Sequence, residues 1–89
     1  MKGINMPMKA TEIVLNYIIE HLDKSDVAPK IDVFIVWQCK ILQNWKFLIS
    51  SNLPDGMYYE ITYNGDKEEF YFDAYKKFEN RKFDLAELI

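Results

Sequence analysis

The side chains that could do chemistry are few in this chain of 89 residues, and they do not form a familiar catalytic arrangement. His21 is the one histidine and Cys39 is the one cysteine. Because a structural zinc site needs about four nitrogen or sulfur ligands, these two cannot build one, and an internal disulfide is excluded. Glu68 and Glu69 are neighbours in a predicted strand and point to opposite faces, so they cannot act as an acid–base pair on one substrate.

The other reactive candidates have ordinary structural explanations. Cys39 is predicted to lie on the inner face of a sheet between Trp37 and Ile41, away from any histidine, which indicates an inert core thiol. His21 falls near a helix end, where a surface histidine benefits from the helix dipole. The Asn-Gly-Asp stretch at 64–66 is a turn and not a phosphate loop, because no helix follows it. The sequence therefore predicts a protein that is not an enzyme and needs neither metal nor cofactor.

Composition and charge describe the class of protein. Hydrophobic residues make up 49% of the chain, and the formal net charge is -3. The length suits a single domain over residues 1–89. Mild acidity gives no electrostatic attraction to nucleic acid or to an anionic membrane. The first residues lack the apolar core of a secretory signal, and no apolar run approaches the roughly 20 residues that span a bilayer. We expect a soluble, cytoplasmic protein without a membrane partner.

The first element that could position a site is an amphipathic helix over residues 7–23, where apolar residues recur at spacings of three, four and seven. Pro7 suits its first turn, and Pro29 forbids its continuation. We expect the apolar stripe to cover one face of the sheet that follows. The stripe comprises Met8, Leu15, Ile18, Ile19 and Leu22, widened by Ile13, Val14 and Tyr17.

Four segments rich in β-branched and aromatic residues follow the helix and predict strands at about 31–41, 44–51, 57–63 and 68–75. Short connections with turn residues join them, which favours antiparallel neighbours in chain order. The last stretch of the chain has no clean period, but its apolar residues suggest that it folds back onto something. The predicted fold class is α+β: an N-terminal helix packed on a four-stranded antiparallel meander, with a short irregular or helical C-terminal tail.

The register of the first hairpin is predicted from its apolar alternation. The alternative that sets Ile41 opposite Lys46 moves the apolar set of one strand to the wrong face. A three-residue loop over 42–44 avoids this and places Asn44 at a left-handed position, which asparagine tolerates. The pairs that result are Ile41 with Trp45, Cys39 with Phe47 and Trp37 with Ile49.

The second hairpin allows two registers. The tighter turn that Asn-Gly usually indicates would set Ile61 opposite Glu68. A four-residue loop over 64–67 packs the apolar residues better, and we expect that loop. The pairs that it sets are Ile61 with Phe70, Tyr59 with Phe72 and Met57 with Ala74.

Seven aromatic side chains lie between residues 55 and 75, and they divide between the two faces of the predicted sheet. Tyr59, Phe70 and Phe72 are predicted to pack under the helix. The outer face receives Tyr58, Glu60, Tyr71, Asp73 and Tyr75, and from the first two strands Phe34, Val36, Gln38, Lys40, Lys46 and Leu48. This mixture is too apolar for a sheet face that only meets water. The tail, a second copy of the chain or a partner protein is expected to cover it.

Exposed tyrosines can also stack nucleic-acid bases, and the basic cluster of Lys76, Lys77, Arg81 and Lys82 favours that alternative. Against it, three carboxylates interleave the tyrosines where a phosphate backbone would run, and the glycine-rich signature of ribonucleoprotein strands is absent. Tyrosine beside Glu and Asp better suits a protein surface that carries Arg or Lys. A protein partner is therefore preferred over nucleic acid, with contacts predicted at Tyr58, Glu60, Tyr71, Asp73 and Tyr75.

Five short motifs carry a resemblance to a known family. They are V-W-x-C-K at 36–40, L-Q-N at 42–44, D-G-M-Y-Y-E at 55–60, T-Y-N-G-D-K at 62–67 and D-x-Y-K-K at 73–77. In these, the chain resembles a family of small proteins of unknown function encoded by phages and prophages of Gram-positive bacteria. The resemblance implies an accessory phage protein that acts in a bacterial cytoplasm. By analogy with other such proteins, it implies binding to a host protein, with inhibition of a defence such as a CRISPR nuclease as one form.

Overall fold

The computed structural model describes residues 3–22 and 30–89, and it confirms the α+β fold. Its elements are helix α1 (Met6–His21), strands β1 (Val33–Ile41), β2 (Asn44–Ser51), β3 (Met57–Asn64) and β4 (Glu69–Lys76), and helix α2 (Leu85–Leu88). The strands form one antiparallel sheet in the order β1-β2-β3-β4. Nowhere in these two ranges is a helix both long and apolar enough to cross a membrane.

Local hydrogen bonds define where α1 begins and ends. The side chain of Asn5 accepts a hydrogen bond from the backbone N–H of Met8 at 3.1 Å, which makes Asn5 the N-cap. Pro7 lies in the first turn, as predicted, where its missing N–H costs nothing. The helix ends at His21. The predicted extension to residue 23 and the stop at Pro29 lie outside the described residues.

A narrow row of α1 side chains meets the sheet. Ala10, Val14 and Ile18 are buried, and their spacing of four residues aligns them along one side of the helix. The broader stripe predicted from the sequence is wrong at two positions, because Met8 and Ile19 are exposed. The helix therefore packs on the sheet through the part of its apolar stripe that contains Val14 and Ile18.

The core lies between α1 and the two central strands. Phe47 and Ile49 of β2 and Ile61 of β3 are fully buried, and Tyr59 is nearly so. The Tyr17 ring on α1 closes this core on one side, with its centroid 5.7 Å from that of Tyr59. The sheet face toward α1 is called the inner face, and the face away from α1 is called the outer face.

The second hairpin has the predicted faces but a different register. The observed pairs are displaced by two residues, and the four-residue loop is 65–68 instead of 64–67. The side chain of Asn64 shapes this loop by accepting hydrogen bonds from the N–H groups of Asp66 and Lys67. Because a strand repeats every two residues, the displacement leaves each side chain on its predicted face. The predicted partners are wrong, since the observed pairs are Tyr63 with Phe70, Ile61 with Phe72 and Tyr59 with Ala74.

The register predicted for the first hairpin is also wrong. The turn consists of Leu42 and Gln43 alone, and Ile41 lies opposite Asn44. Leu42, and not Asn44, adopts the positive φ, at 56°. Asn44 instead begins β2, and its side chain accepts a hydrogen bond from the N–H of Gly65 at 2.9 Å. Local turn rules assigned Asn44 to the loop. In the structure its side chain instead joins the turn of the first hairpin to the turn of the second.

A β-bulge in β1 reverses the faces of its second half. The pairing with β2 shifts between Ile35 and Trp37, which leaves Val36 as an extra residue. Before the bulge, Val33 and Ile35 pack against the core. Beyond it, Trp37 lies opposite Leu48, and the side chains alternate in the opposite sense.

Five predicted positions in β1 are therefore corrected. Trp37, Cys39 and Ile41 were expected on the inner face, but all three lie on the outer face, where Trp37 is 45% exposed and Cys39 and Ile41 are exposed. Gln38 and Lys40 were expected on the outer face, but they lie opposite the inner-face residues Phe47 and Trp45. The prediction assumed that side chains alternate between the two faces along the whole of β1, and the bulge interrupts that alternation.

Residues 77–89, called the arm below, do not fold back onto the sheet. The N–H of Lys77 donates to the carbonyl of Gly56 at 2.7 Å, and the chain then runs on without regular structure to α2. Every arm residue is exposed. The Cα radius of gyration is 16.1 Å, against about 12 Å for a compact chain of this length.

Candidate partner-binding face

The five residues predicted to contact a partner lie together on the outer face of β3 and β4. Tyr58 is directly opposite Tyr75, and Glu60 is directly opposite Asp73. Tyr71 lies on the same face, opposite Thr62. This set of five, called the tyrosine surface below, forms two neighbouring rows, one along β3 and one along β4. The structure establishes where these residues are, and their role as contacts stays a prediction.

The rings of the tyrosine surface are available for contact. Tyr71 is 45% exposed and Tyr75 is 52% exposed, while Tyr58 is half-buried. The hydroxyl of Tyr71 donates a hydrogen bond to the carboxylate of Glu69. This bond, helped by partial burial and by the charge of Glu69, raises the pKa of Tyr71 above its ordinary value of 10.0. The ring is thus neutral at physiological pH and anchored at its tip.

Negative charge is concentrated at the centre of the tyrosine surface. Like charges directly opposite each other in a sheet are destabilising, and the pair of Glu60 and Asp73 is such a case. Lys46 offsets one of them, because its Nζ lies 3.6 Å from a carboxylate oxygen of Glu60. No cation from residues 3–22 or 30–89 comes within 4.0 Å of the Asp73 carboxylate. The surface therefore keeps a carboxylate that a cation from another molecule can pair with.

The other part of the outer face, on β1 and β2 and reaching Thr62 of β3, carries an apolar groove. The groove holds about 360 Å³, and the surface that it exposes is apolar. Residues that line it include Trp37, Cys39, Ile41, Lys46 and Thr62. We call it the Trp37 groove. Sequence reasoning missed it because it assigned Trp37 and Cys39 to the core, and no glycine or proline in the strand signals the bulge that turns them outward.

The reactive side chains lie apart from one another. Cys39 is on the outer face, whereas His21 is on α1, which packs on the inner face, so the sheet separates them. The imidazole of His21 stacks on Tyr17 with a centroid distance of 4.1 Å, and its Nδ1 lies 2.8 Å from the carbonyl oxygen of Tyr17. The Ser50 hydroxyl donates to the carbonyl of Met57 at 3.3 Å.

Across the described part of the chain, no three His, Cys, Asp or Glu side chains come together in a way that could hold a metal ion.

Comparison with known proteins adds one finding. Neither curated proteins nor solved structures gave a match. The model of one protein family, described as a family of unknown function (DUF6275), matches residues 7–85. This range contains all four strands, nearly all of α1 and most of the arm. The chain therefore belongs to DUF6275, a family of unknown function.

Proposed function

We propose that this protein acts without catalysis, by binding a basic patch of another protein on its tyrosine surface. The observation that carries the proposal is the pair of Glu60 and Asp73, two carboxylates placed directly opposite each other between exposed tyrosines. A sheet of this size gains nothing from such a pair by itself, because the repulsion lowers its stability. The arrangement becomes favourable when an Arg or Lys from a partner lies between the two carboxylates.

The neighbouring rings suit the same partner. A guanidinium group can hydrogen-bond a carboxylate with two N–H groups and can also stack on an aromatic face. Tyr71 and Tyr75 supply such faces beside Asp73, and they lose little conformational entropy on binding. Tyrosines are also enriched at the residues that dominate the energy of protein interfaces. Rings and carboxylates together therefore support recognition of an Arg-containing surface.

The resemblance to small phage proteins supports a bacterial setting for this binding. We propose that the protein acts in the cytoplasm of a bacterial host and that its partner is a host protein. Accessory phage proteins without catalytic groups commonly act by occupying such a target, and a nuclease of a host defence system presents basic surfaces. Inhibition of a defence protein, as anti-CRISPR proteins do, is the specific form of the proposal.

The test is a charge reversal at Asp73, measured against the partner identified by affinity capture from host lysate and mass spectrometry. We expect Asp73→Lys to weaken binding by about 1–3 kcal/mol, or roughly 5- to 150-fold, in a calorimetric titration. Tyr71→Ala should have a loss in the same range. Glu20→Lys is the matched control, since it makes the same charge change on α1, away from the outer face; it should leave affinity within about twofold.

Two further readouts separate this function from its rivals. Asp73→Lys removes a like-charge pair, so its melting temperature should equal or exceed that of the wild type while binding is lost. If the role of Asp73 were purely structural, the substitution would instead lower the melting temperature. If the wild type instead binds a labelled single-stranded oligonucleotide at micromolar concentration, and Asp73→Lys binds it more tightly with a steeper salt dependence, the surface recognises nucleic acid and the proposal fails.

A further inference from the structure

The arm exposes more apolar surface than a free segment normally does. Phe78 is 100% exposed and Ile89 is 97% exposed, and Phe83, Leu85 and Leu88 are exposed as well. Single exposed apolar residues are common, but a run of five large ones within 12 residues is not. Such a run is typical of a segment that packs against another surface.

In the structure the arm does not cover the sheet of its own chain. The arm leaves β4 at Lys76, whereas the Trp37 groove lies on β1, β2 and the adjoining part of β3, from the level of Trp37 to the turn of the first hairpin. Trp37 is level with Asp73 and Cys39 is level with Tyr71, so these two residues lie roughly 10 and 17 Å from Lys76 along the strands, and β1 lies about 14 Å from β4 across them. To cross that diagonal, the arm must reverse direction after Lys77. Of the residues that favour such a reversal the arm has Asn80 but neither glycine nor proline, and in the structure it runs on without reversing onto the sheet.

The Trp37 groove of a second copy has the properties that the arm needs. Its exposed lining is apolar, with the rings and aliphatic stems of Trp37, Ile41 and Lys46. The last seven residues of the arm alternate apolar side chains with the carboxylates of Asp84 and Glu87. The side chain of Lys46 lines the groove and is 44% exposed, so its ammonium group, which lies 3.6 Å from a carboxylate oxygen of Glu60, can also meet one of these carboxylates. The apolar side chains of the arm therefore match the apolar lining of the groove, and the carboxylates of the arm match the positive charge of Lys46.

We propose that the protein forms a homodimer in which residues 83–89 of each chain bind in the Trp37 groove of the other. A two-fold axis engages both arms and both grooves, which closes the assembly at two chains. Two arms with four large apolar side chains each, and the grooves that they cover, remove on the order of 1,000 Å² from water, which is the lower range of specific interfaces. The arm has 13 residues and spans up to about 43 Å when extended, so the two sheets need not touch. The groove borders the tyrosine surface at Lys46 and Thr62, but none of the five residues of that surface lines it, and this inference does not rest on the proposed function.

The oligomeric state of the full chain tests the proposal. In sedimentation equilibrium the wild type should be a dimer, and Leu88→Asp should raise the dissociation constant at least about tenfold. Leu88 is exposed in the single chain, so the substitution should not alter its melting temperature in dilute solution. Met8→Asp is the matched control, because it also replaces an exposed apolar residue but lies on α1. A wild-type chain that is monomeric at all concentrations, or a Leu88→Asp variant that dimerises as the wild type does, would overturn the inference.

A cross-link identifies the contact itself. Cys39 lines the groove, so Leu88→Cys should form a disulfide with Cys39 of the second copy on mild oxidation and give a covalent dimer. The same variant with Cys39→Ser should give little cross-linked dimer. A disulfide that forms within one chain would show that the arm covers its own groove and would refute the exchange. Asp73→Lys should leave the dimer intact, so failure of the arm exchange and failure of partner binding are separate results.

Discussion

Phe47→Ala is expected to lower the free energy of unfolding by about 3–5 kcal/mol, because it leaves a cavity where a fully buried ring packs between α1 and the sheet. A chain of this length is typically stable by only about 4–13 kcal/mol, so the loss is a large fraction of its total stability. Urea unfolding of dilute protein, followed by circular dichroism, measures the loss.

Trp37→Ala provides the internal comparison for that result. The sequence alone predicts an equal loss for the two substitutions, because it places both rings in the core. The structure places Trp37 on the outer face at 45% exposure, so its loss should be at most about 2 kcal/mol. Equal destabilisation by the two substitutions would mean that the bulge at Val36 is absent and that the unbroken register is correct.

Gly65→Ala is expected to have the second large effect, a loss of about 1–3 kcal/mol. A Cβ atom at this position would overlap the carbonyl oxygen and the side chain of Gln43, which lies in the turn of the first hairpin. A backbone oxygen cannot move aside as a flexible side chain does, so the two hairpin turns must separate. That separation also weakens the hydrogen bond from the Gly65 N–H to Asn44.

Asn44→Ala is the appropriate comparison for the glycine substitution. It removes the hydrogen bond to Gly65 but leaves the close approach of the turns intact, and it should cost about 1 kcal/mol. Thermal unfolding of both variants separates the two contributions. If Gly65→Ala is no more destabilising than Asn44→Ala, the turns are not packed as closely as the structure shows.

The kind and order of the elements were predictable because they depend on hydrophobic periodicity, which is a local property. The faces of β3 and β4 were predictable for a related reason. Tyr58 and Tyr71 reach the outer face in any register that differs by two residues, so an error in the loop did not affect the candidate site. The location of the five partner-binding candidates therefore follows from the sequence, although their cross-strand neighbours do not.

The second half of β1 was not predictable from local rules. Val36 is a β-branched residue that favours an ordinary strand, and nothing beside it marks a bulge. Leu42 is a poor choice for a positive φ, and Asn44 is a good one, yet the structure uses them the other way. The contact between Asn44 and Gly65 joins residues 21 positions apart, and it favours the observed turn. Tertiary contacts thus override turn preference, and the Trp37 groove is a consequence.

The bulge at Val36 has a bearing on solubility. β1 is an edge strand, and an edge strand exposes unpaired N–H and C=O groups that can recruit another strand. The segment Val33–Trp37 is apolar, uncharged and rich in β-branched and aromatic residues, which is the composition of segments that nucleate amyloid. A bulge bends such an edge and breaks its regular spacing of hydrogen-bonding groups. The same irregularity that turns Trp37 outward therefore protects the most aggregation-prone edge of the sheet from templating a fibril.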